Sequence, residues 1–132
     1  MVLPYHKIPV YIFGAGITPW IVSQPTSQID IWPTVLSMLG IDYNNNSLGI
    51  DILHNHRPYA FFVSDDYLGV SDGEYFWCYG IQTQREVLYR MGSGENILTE
   101  EPERATEMRT FGMNMQRVNL MAIDNKWTDP CE

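Results

Sequence analysis

The first hydrophobic segment of the chain is a continuous apolar run. Residues 8–13 read IPVYIF, are rich in β-branched and aromatic types, and precede the glycine-rich turn signal Gly14-Ala15-Gly16. Runs of this kind are typical of strands buried on both faces, as in a parallel sheet covered by helices. We therefore predict a buried strand here. Its parallel neighbours must come from elsewhere, because the sequence contains no second convincing run of this type.

A helical pattern follows, with its apolar positions on one stripe: Ile29, Trp32, Leu36 and Leu39. Ser27 and Asp30 match a capping box, and Gly40 stands where a left-handed C-terminal cap is expected. We therefore predict a helix from Ser27 to Leu39. Pro33 leaves two alternatives open, a kinked helix or a capped turn followed by a helix with Pro33 near its first position.

The composition changes near Arg57-Pro58, and β-rich runs follow it. The runs are YAFFVS (59–64), EYFWCYGI (74–81) and EVLYRM (86–91). They are separated by SDDYLGVSDG and QTQR, so we predict a three-stranded antiparallel meander with the polar stretches as connections. This pattern points to a small sheet in the second half of the chain.

A second helix is predicted from Thr99 onwards. Acidic residues and Pro102 suit its first turn, because acids complement the helix dipole and proline loses no hydrogen bond there. The apolar stripe predicted to pack on the meander consists of Met108, Phe111, Met115, Val118 and Ala122.

Charge and length narrow the function classes. The chain has 132 residues, with 8 Lys and Arg against 16 Asp and Glu, for a net charge of −8. Such a chain repels phosphate backbones and anionic membrane surfaces, so we expect no nucleic-acid partner. The longest apolar stretch is too short and too interrupted by proline and glycine to cross a bilayer, so we expect no transmembrane segment.

The segments HKIPVYIFGAG, VSQPTSQIDIWPTVLSMLGI and LGIDIL resemble one family in their order and spacing. They are similar to the C-terminal portion of sulfatase-like enzymes of the alkaline phosphatase superfamily, closest to the lipoteichoic acid synthase or phosphoglycerol transferase branch. The family pattern there is an IPxxI strand, then SQxDxxPTxLxxLGI, then G-x-x-[IL]-L. The later stretch DGEYFWCYGIQTQREVLYRMGSGENIL is similar to the family's C-terminal sheet.

The resemblance implies an α/β fold for the parent enzyme and an α+β fold for the chain in isolation. Residues 1–57 would be the C-terminal end of the α/β catalytic core, contributing its terminal strand and helix. Residues 58–132 would be the antiparallel meander and terminal helix. The expected partner is therefore the rest of the parent catalytic domain, or a second copy of the chain, because an exposed apolar strand edge favours self-association.

The resemblance also implies a chemistry that this chain lacks by itself. Family members act on sulfate or phosphate esters with a divalent metal (Mn, Zn, Ca or Mg) beside a nucleophile, because the metal polarises the ester oxygens. The sequence has no Asp-His dipeptide and no C-x-P-x-R signature around Cys78 or Cys131. In the family these parts precede the strand at residues 8–13. We expect no cofactor and no catalytic residue in this chain, and a parent enzyme outside the cytoplasmic membrane at the cell envelope.

Few residues remain as candidates for a site. His6 stands before the predicted strand, where it would contact metal or substrate in the parent or be an ordinary loop histidine. The family motif residues are interpreted as structural, with a metal-ligand role for Asp30 as the weaker alternative: Ser27, Asp30, Pro33, Thr34 and Gly40.

Further candidates support a rival function, a freestanding module that binds glycans or a partner chain. His54 and His56 form a loop pair, for which we favour a solvated role over metal binding. The acidic stretch 65–74 does not fit a calcium loop and is interpreted as solvated turns. The aromatic residues of 75–79 would stack on sugars only if exposed, and we predict that about half of them face the core.

Overall fold

The computed structural model describes residues 8–125 of the chain. A single 3-10 turn, Gln28–Asp30, precedes the first helix. The helices are α1 (Ile31–Met38) and α2 (Pro102–Asp124), and the strands are β1 (Ala60–Ser64), β2 (Tyr67–Ser71), β3 (Tyr75–Gly80) and β4 (Glu86–Arg90). The predicted mixed fold, a small antiparallel sheet with a C-terminal helix, is confirmed.

The sheet has four strands in the order β1-β2-β3-β4, all antiparallel. The prediction of three strands was therefore incomplete, because SDDYLGVSDG contains β2 between two tight turns. Aspartates, serine and glycine flank this strand and Gly69 interrupts it, so its local composition is that of a loop. Pairing on both sides makes it a strand.

The core lies between the sheet and α2. Val70, Trp77 and Leu88 are direct partners across three strands and are fully buried. Helix α2 contacts β2 and β3 and buries Ala105 and Met108 against them.

The stripe predicted for α2 holds best in its first half. Met108 and Ala122 are buried, and Phe111 and Met115 are half-buried. Val118 was wrongly placed on the packed side, since 41% of it is exposed. The helix is longer than the width of the strands it covers, so its distal half has less sheet to pack on.

The buried strand predicted at residues 8–13 does not form. These residues have no regular secondary structure and are exposed, with Tyr11 at 75% and Phe13 at 87% of full exposure. A strand that is apolar on both faces needs parallel neighbours and two covering layers. The meander is antiparallel, so it offers no parallel neighbour to residues 8–13. Helix α2 already covers one of its faces, so it also offers no second covering layer.

The segment from Ser27 to Gly40 resolves the two alternatives for Pro33. The 3-10 turn comes first, and Pro33 is the third residue of α1, where its missing N–H would have had no helical partner. Gly40 has φ +65°, and the N–H of Ile41 donates to the Leu36 carbonyl oxygen at 3.0 Å. This is a Schellman ending, as predicted from Gly40.

Within residues 8–125, neither helix is long and apolar enough to span a membrane.

Candidate functional site

The motif aspartate lies at the centre of a buried hydrogen-bond network. Asp30 is only 2% exposed. Its Oδ2 accepts hydrogen bonds from the Ser27 N–H at 2.8 Å and from Arg57 Nη2 at 2.5 Å, and its Oδ1 accepts one from the Ile50 N–H at 3.0 Å. The predicted capping box is present. The carboxylate therefore joins the helix entry to a loop twenty and more residues later.

Thr34 and Arg57 extend this network to the loop backbone. The Thr34 hydroxyl donates to the Asp30 carbonyl oxygen at 2.6 Å and accepts from the Ile52 N–H at 3.2 Å. Arg57 Nη1 donates to the Leu48 carbonyl oxygen at 3.1 Å. The two parts of the sequence pattern, SQxDxxPT and LGIDIL, are thus one structural unit. Unmatched backbone groups in the loop would cost about 1–3 kcal/mol each, which explains why polar residues occur in this buried position.

The glycine of LGIDIL is required by close approach. A Cβ atom on Gly49 would lie 2.0 Å from the Ile29 carbonyl oxygen and 3.0 Å from Pro33 Cγ. The Asn45 side chain donates to the Gly49 carbonyl oxygen at 2.8 Å. This hydrogen bond fixes the loop backbone at the point where Gly49 meets Ile29 and Pro33. Pro33 and Gly49 therefore fit each other by shape at the point where the loop crosses the helix entry.

Ser27 also connects this unit to the sheet. Its hydroxyl oxygen accepts the Phe61 N–H at 2.8 Å. Ser27 therefore makes two contacts. Its N–H donates to the Asp30 carboxylate at the 3-10 turn, and its hydroxyl oxygen accepts from the backbone of β1. This contact crosses the predicted boundary between residues 57 and 58.

The contacts of the motif residues are structural, because they connect the helix entry to the 48–57 loop. The Asp30 carboxylate accepts from the N–H groups of Ser27 and Ile50 and from the buried guanidinium of Arg57, which occupies the position a cation would need. A metal at Asp30 would have to displace Arg57. Among residues 8–125, no group of three or more His, Cys, Asp or Glu is arranged to hold a metal ion.

A second polar cluster lies beside an open cleft of about 330 Å³. The cleft is lined by Pro33, Ser37, Gly40, Ile41, Asp42, Tyr43 and Asp51. At its side the His54 ring stands 72% exposed, with Nδ1 2.5 Å from Asp51 Oδ2 and 3.5 Å from Ser37 Oγ. Serine, histidine and aspartate are thus in contact.

This cluster does not have the geometry of a catalytic triad. In a triad the acid contacts one imidazole nitrogen and the nucleophile contacts the other, so that the ring can take a proton from the hydroxyl. Here Ser37 and Asp51 both face Nδ1 of His54. Burial raises the pKa of the Asp51 carboxyl, but hydrogen bonds from His54, Ser37 and the Leu53 N–H outweigh it, and the pKa lies below its ordinary value of 3.8. The cluster is a contact between a histidine and a carboxylate with a serine beside it.

The acidic stretch of residues 65–74 is divided between two turns. Asp65 and Asp66 form the β1–β2 turn, whereas Asp72 Oδ1 accepts the Glu74 and Tyr75 N–H groups beyond the other end of β2. A five-residue strand places these ends about 17 Å apart, too far for one cation.

Among the described residues, the remaining candidates are either buried or lack a second ligand. His56 is exposed, and His6 and Cys131 lie outside the described residues. Cys78 is buried, which raises the pKa of its thiol to about 11 and keeps it protonated at neutral pH. The aromatic residues of β3 that would have stacked on sugars, Tyr75, Phe76 and Trp77, are buried, and Tyr79 is half-buried.

Helix α1 has its polar side inward and its apolar side outward. Pro33 and Thr34 are buried against the 48–57 loop. Ile31 is 36%, Leu39 66% and Trp32 72% exposed. A surface helix ordinarily shows the reverse arrangement. The outward side is therefore a surface that another structure would stabilise by covering it.

Sequence reasoning missed two residues that matter here. The sequence pattern marks Arg57 as the start of a composition change but does not predict its contact with Asp30. It gives no indication of a role for Asp51. Arg57 is the one lysine or arginine between residues 8 and 84, but it lies 27 positions from Asp30, so the requirement of a buried carboxylate for a partner did not by itself locate this contact. No protein-family model matches the chain.

Proposed function

We propose that this chain is the C-terminal portion, not catalytic by itself, of a metal-dependent sulfatase-like or phosphoglycerol-transferase-like enzyme. The parent acts on sulfate or phosphate esters, with its divalent metal and nucleophile outside these 132 residues. It works at the cell envelope, outside the cytoplasmic membrane. The chain's partner in the parent is the rest of the catalytic domain.

The observation that supports this proposal most directly is the unit built around Asp30. The residues that carry the family resemblance, SQIDIWPT and LGIDIL, contact each other through Asp30, Thr34 and Gly49. A chance match of two short patterns would not be expected to put their fixed positions into one network. The outward apolar side of α1 adds support, because a helix that covers a larger α/β core would bury that side.

The test compares the 132-residue chain with the longer polypeptide that the proposal requires, encoded in frame upstream of Met1. Both are assayed on an aryl sulfate and an aryl phosphate with Mn²⁺, Zn²⁺, Ca²⁺ or Mg²⁺. We expect metal-dependent turnover by the longer polypeptide and none by the chain alone. Turnover by the purified chain that EDTA abolishes would contradict the proposal, as would an upstream frame without an Asp-His pair and a nucleophile.

A variant pair in the longer polypeptide separates the two interpretations of Asp30. Asp30→Asn removes the Arg57 partner, and Asp42→Asn is the matched control at an exposed acid nearby. We expect Asp30→Asn to lower the yield of folded protein while the metal content per folded molecule stays the same. A loss of one metal ion per folded molecule would instead make Asp30 a ligand.

A further inference from the structure

We propose that the outward side of α1 is the interface of a homodimer formed by the chain itself. This face, the α1 face, consists of Ile31, Trp32, Val35, Leu36 and Leu39. The inference concerns the chain in its free form, in which no parent core covers this side of α1, and it does not depend on the proposed enzymatic parent. It names the occupant as a second copy of the same chain.

The α1 face is one continuous stripe. At 100° per residue, its five side chains fall within an arc of about 140°, whereas the buried Pro33 and Thr34 point to the other side. Val35 and Leu36 are half-buried, and Trp32 and Leu39 are the most exposed members of the stripe. Apolar rows at i and i+4 are the ridges by which two helices interdigitate. The face therefore has the pattern of a helix-packing surface.

Charge favours a second copy on this side of the molecule. The chain carries a net charge of −8, so two copies repel each other through most of their surfaces. Residues 8–41, however, contain no Lys, Arg, His or Glu and one Asp, Asp30, which is buried in its ion pair with Arg57. Two copies can approach through this region without placing like charges together. An apolar, uncharged stripe is complementary to itself, as a two-fold interface requires.

The exposed area is sufficient for a weak, specific dimer. With the flanking Ile29 and Ile41, 40% and 48% exposed, the α1 face leaves apolar surface on the order of 600 Å² open per copy. Pairing two copies would bury about 1,200 Å² in total, at the lower limit for specific interfaces. Trp32 is the expected anchor, since tryptophan dominates the binding energy of many interfaces.

Other occupants and other surfaces fit less well. An anionic membrane would be repelled by the net negative charge of the chain. The distal half of α2 also exposes apolar residues, Val118, Leu120, Met121 and Ile123. They are distributed around the helix and interspersed with Arg117 and Asp124, so they form no uncharged stripe. Val118 is therefore a suitable control position, equally apolar and outside the α1 face.

The experiment is sedimentation velocity on the full chain from about 1 µM to about 100 µM, a range that resolves micromolar association. We expect a concentration-dependent shift from the 15.3 kDa monomer to a species of twice that mass. Trp32→Lys should shift the dimerisation constant at least about tenfold toward monomer, and Val118→Lys should leave it unchanged. Leu39→Lys is the second variant. Far-ultraviolet circular dichroism checks that each variant is folded.

A mixing test identifies the contact as face to face. Trp32→Lys and Trp32→Glu should each be monomeric alone, because like charges meet across a two-fold interface. Mixed together they should recover dimer, since unlike charges then meet. A wild-type chain that remains monomeric throughout would overturn the proposal. So would a dimer that Trp32→Lys and Leu39→Lys leave intact, and dissociation by Val118→Lys alone would move the interface to α2.

Discussion

At the scale of single residues, the pair formed by Asp30 and Arg57 decides whether the motif unit can be buried. Both side chains are largely inaccessible to solvent, and the residues are 27 positions apart in sequence. Removing a charge from water is costly, and an ion pair repays the cost only when further hydrogen bonds satisfy the remaining atoms. Asp30 has such bonds from Ser27 and Ile50, and Arg57 donates to the Leu48 carbonyl oxygen, whereas the buried Arg57 Nε has no hydrogen-bond partner. The pair is therefore only partly compensated, and its effect is to fix the loop against the helix entry.

We expect Asp30→Asn to destabilise the motif unit by about 3–5 kcal/mol, because it leaves the Arg57 guanidinium buried without its counter-ion. The loss should be visible as faster hydrogen exchange at the Ile50 amide and as a lower unfolding midpoint in guanidinium chloride. Asp42→Asn, at an exposed acid, is the control and should change stability by less than about 0.5 kcal/mol. Equal effects of the two substitutions would show that the buried pair is not a structural requirement.

Asp51, beside the cleft, makes stability depend on pH. The pKa of Asp51 is lowered in the folded chain, so its contribution to stability is present above the ordinary value of 3.8 and is lost as pH falls through the folded value. We expect the urea unfolding midpoint of Asp51→Asn to fall less steeply than that of the wild type between about pH 5 and pH 2. A wild-type profile that Asp51→Asn leaves unaltered, or that Asp42→Asn alters equally, would contradict this expectation.

At the scale of elements, the sequence predicted what local hydrogen bonding determines. The capping box at Ser27 and the Schellman ending at Gly40 depend on groups within a few residues of each other. Helix α2 was predicted from Thr99 but begins three residues later, at Pro102. The strand at residues 8–13 and the missing β2 depend on neighbours far away in sequence. An apolar run does not form a strand without a partner, and a loop-like composition becomes a strand when it has one on each side. The Arg57 contact could not be located for the same reason.

The packing of α2 on the sheet depends on Gly112, which lies against β2 and β3. A Cβ atom there would be 2.7 Å from Val70 Cγ2 and 3.2 Å from Trp77 Cζ3, and both side chains are fully buried. We expect Gly112→Ala to lower the free energy of unfolding by about 1 kcal/mol, because overpacking outweighs the gain of alanine in helix propensity. Chemical denaturation measures this value.

Two further variants separate packing from propensity. Asn114→Ala, at an exposed position of the same helix, should stabilise the chain by a few tenths of a kcal/mol. Adding Val70→Ala to Gly112→Ala should cost less than the sum of the single changes, because the smaller side chain leaves room for the new methyl group. If Gly112→Ala stabilises the chain as much as Asn114→Ala does, the close approach is not limiting.

At the scale of the whole molecule, buried contacts and hydrogen bonds are unevenly distributed among the described residues. The sheet and α2 share one buried cluster, and the motif unit is held by its network around Asp30. Residues 8–23, in contrast, place their apolar side chains at the surface, and their one described backbone hydrogen bond is from Ile17 to Gly14. Segments with few buried contacts open at the lowest free energy. The apolar segment 8–23 therefore has few contacts with the rest of the described chain. Directly after it, the Gln24 side chain donates to the Ile52 carbonyl oxygen at 2.8 Å.

This unevenness predicts where a protease cuts first. Chymotrypsin has aromatic sites in residues 8–23 at Tyr11, Phe13 and Trp20, which are all well exposed, and in β3 at Phe76 and Trp77, which are buried. Under native conditions we expect the first cleavage within residues 8–23 and a stable product that retains the sheet and α2, identified by mass spectrometry. Initial cleavage within β3, or complete degradation without that product, would show that the sheet and α2 do not form an independent stable body.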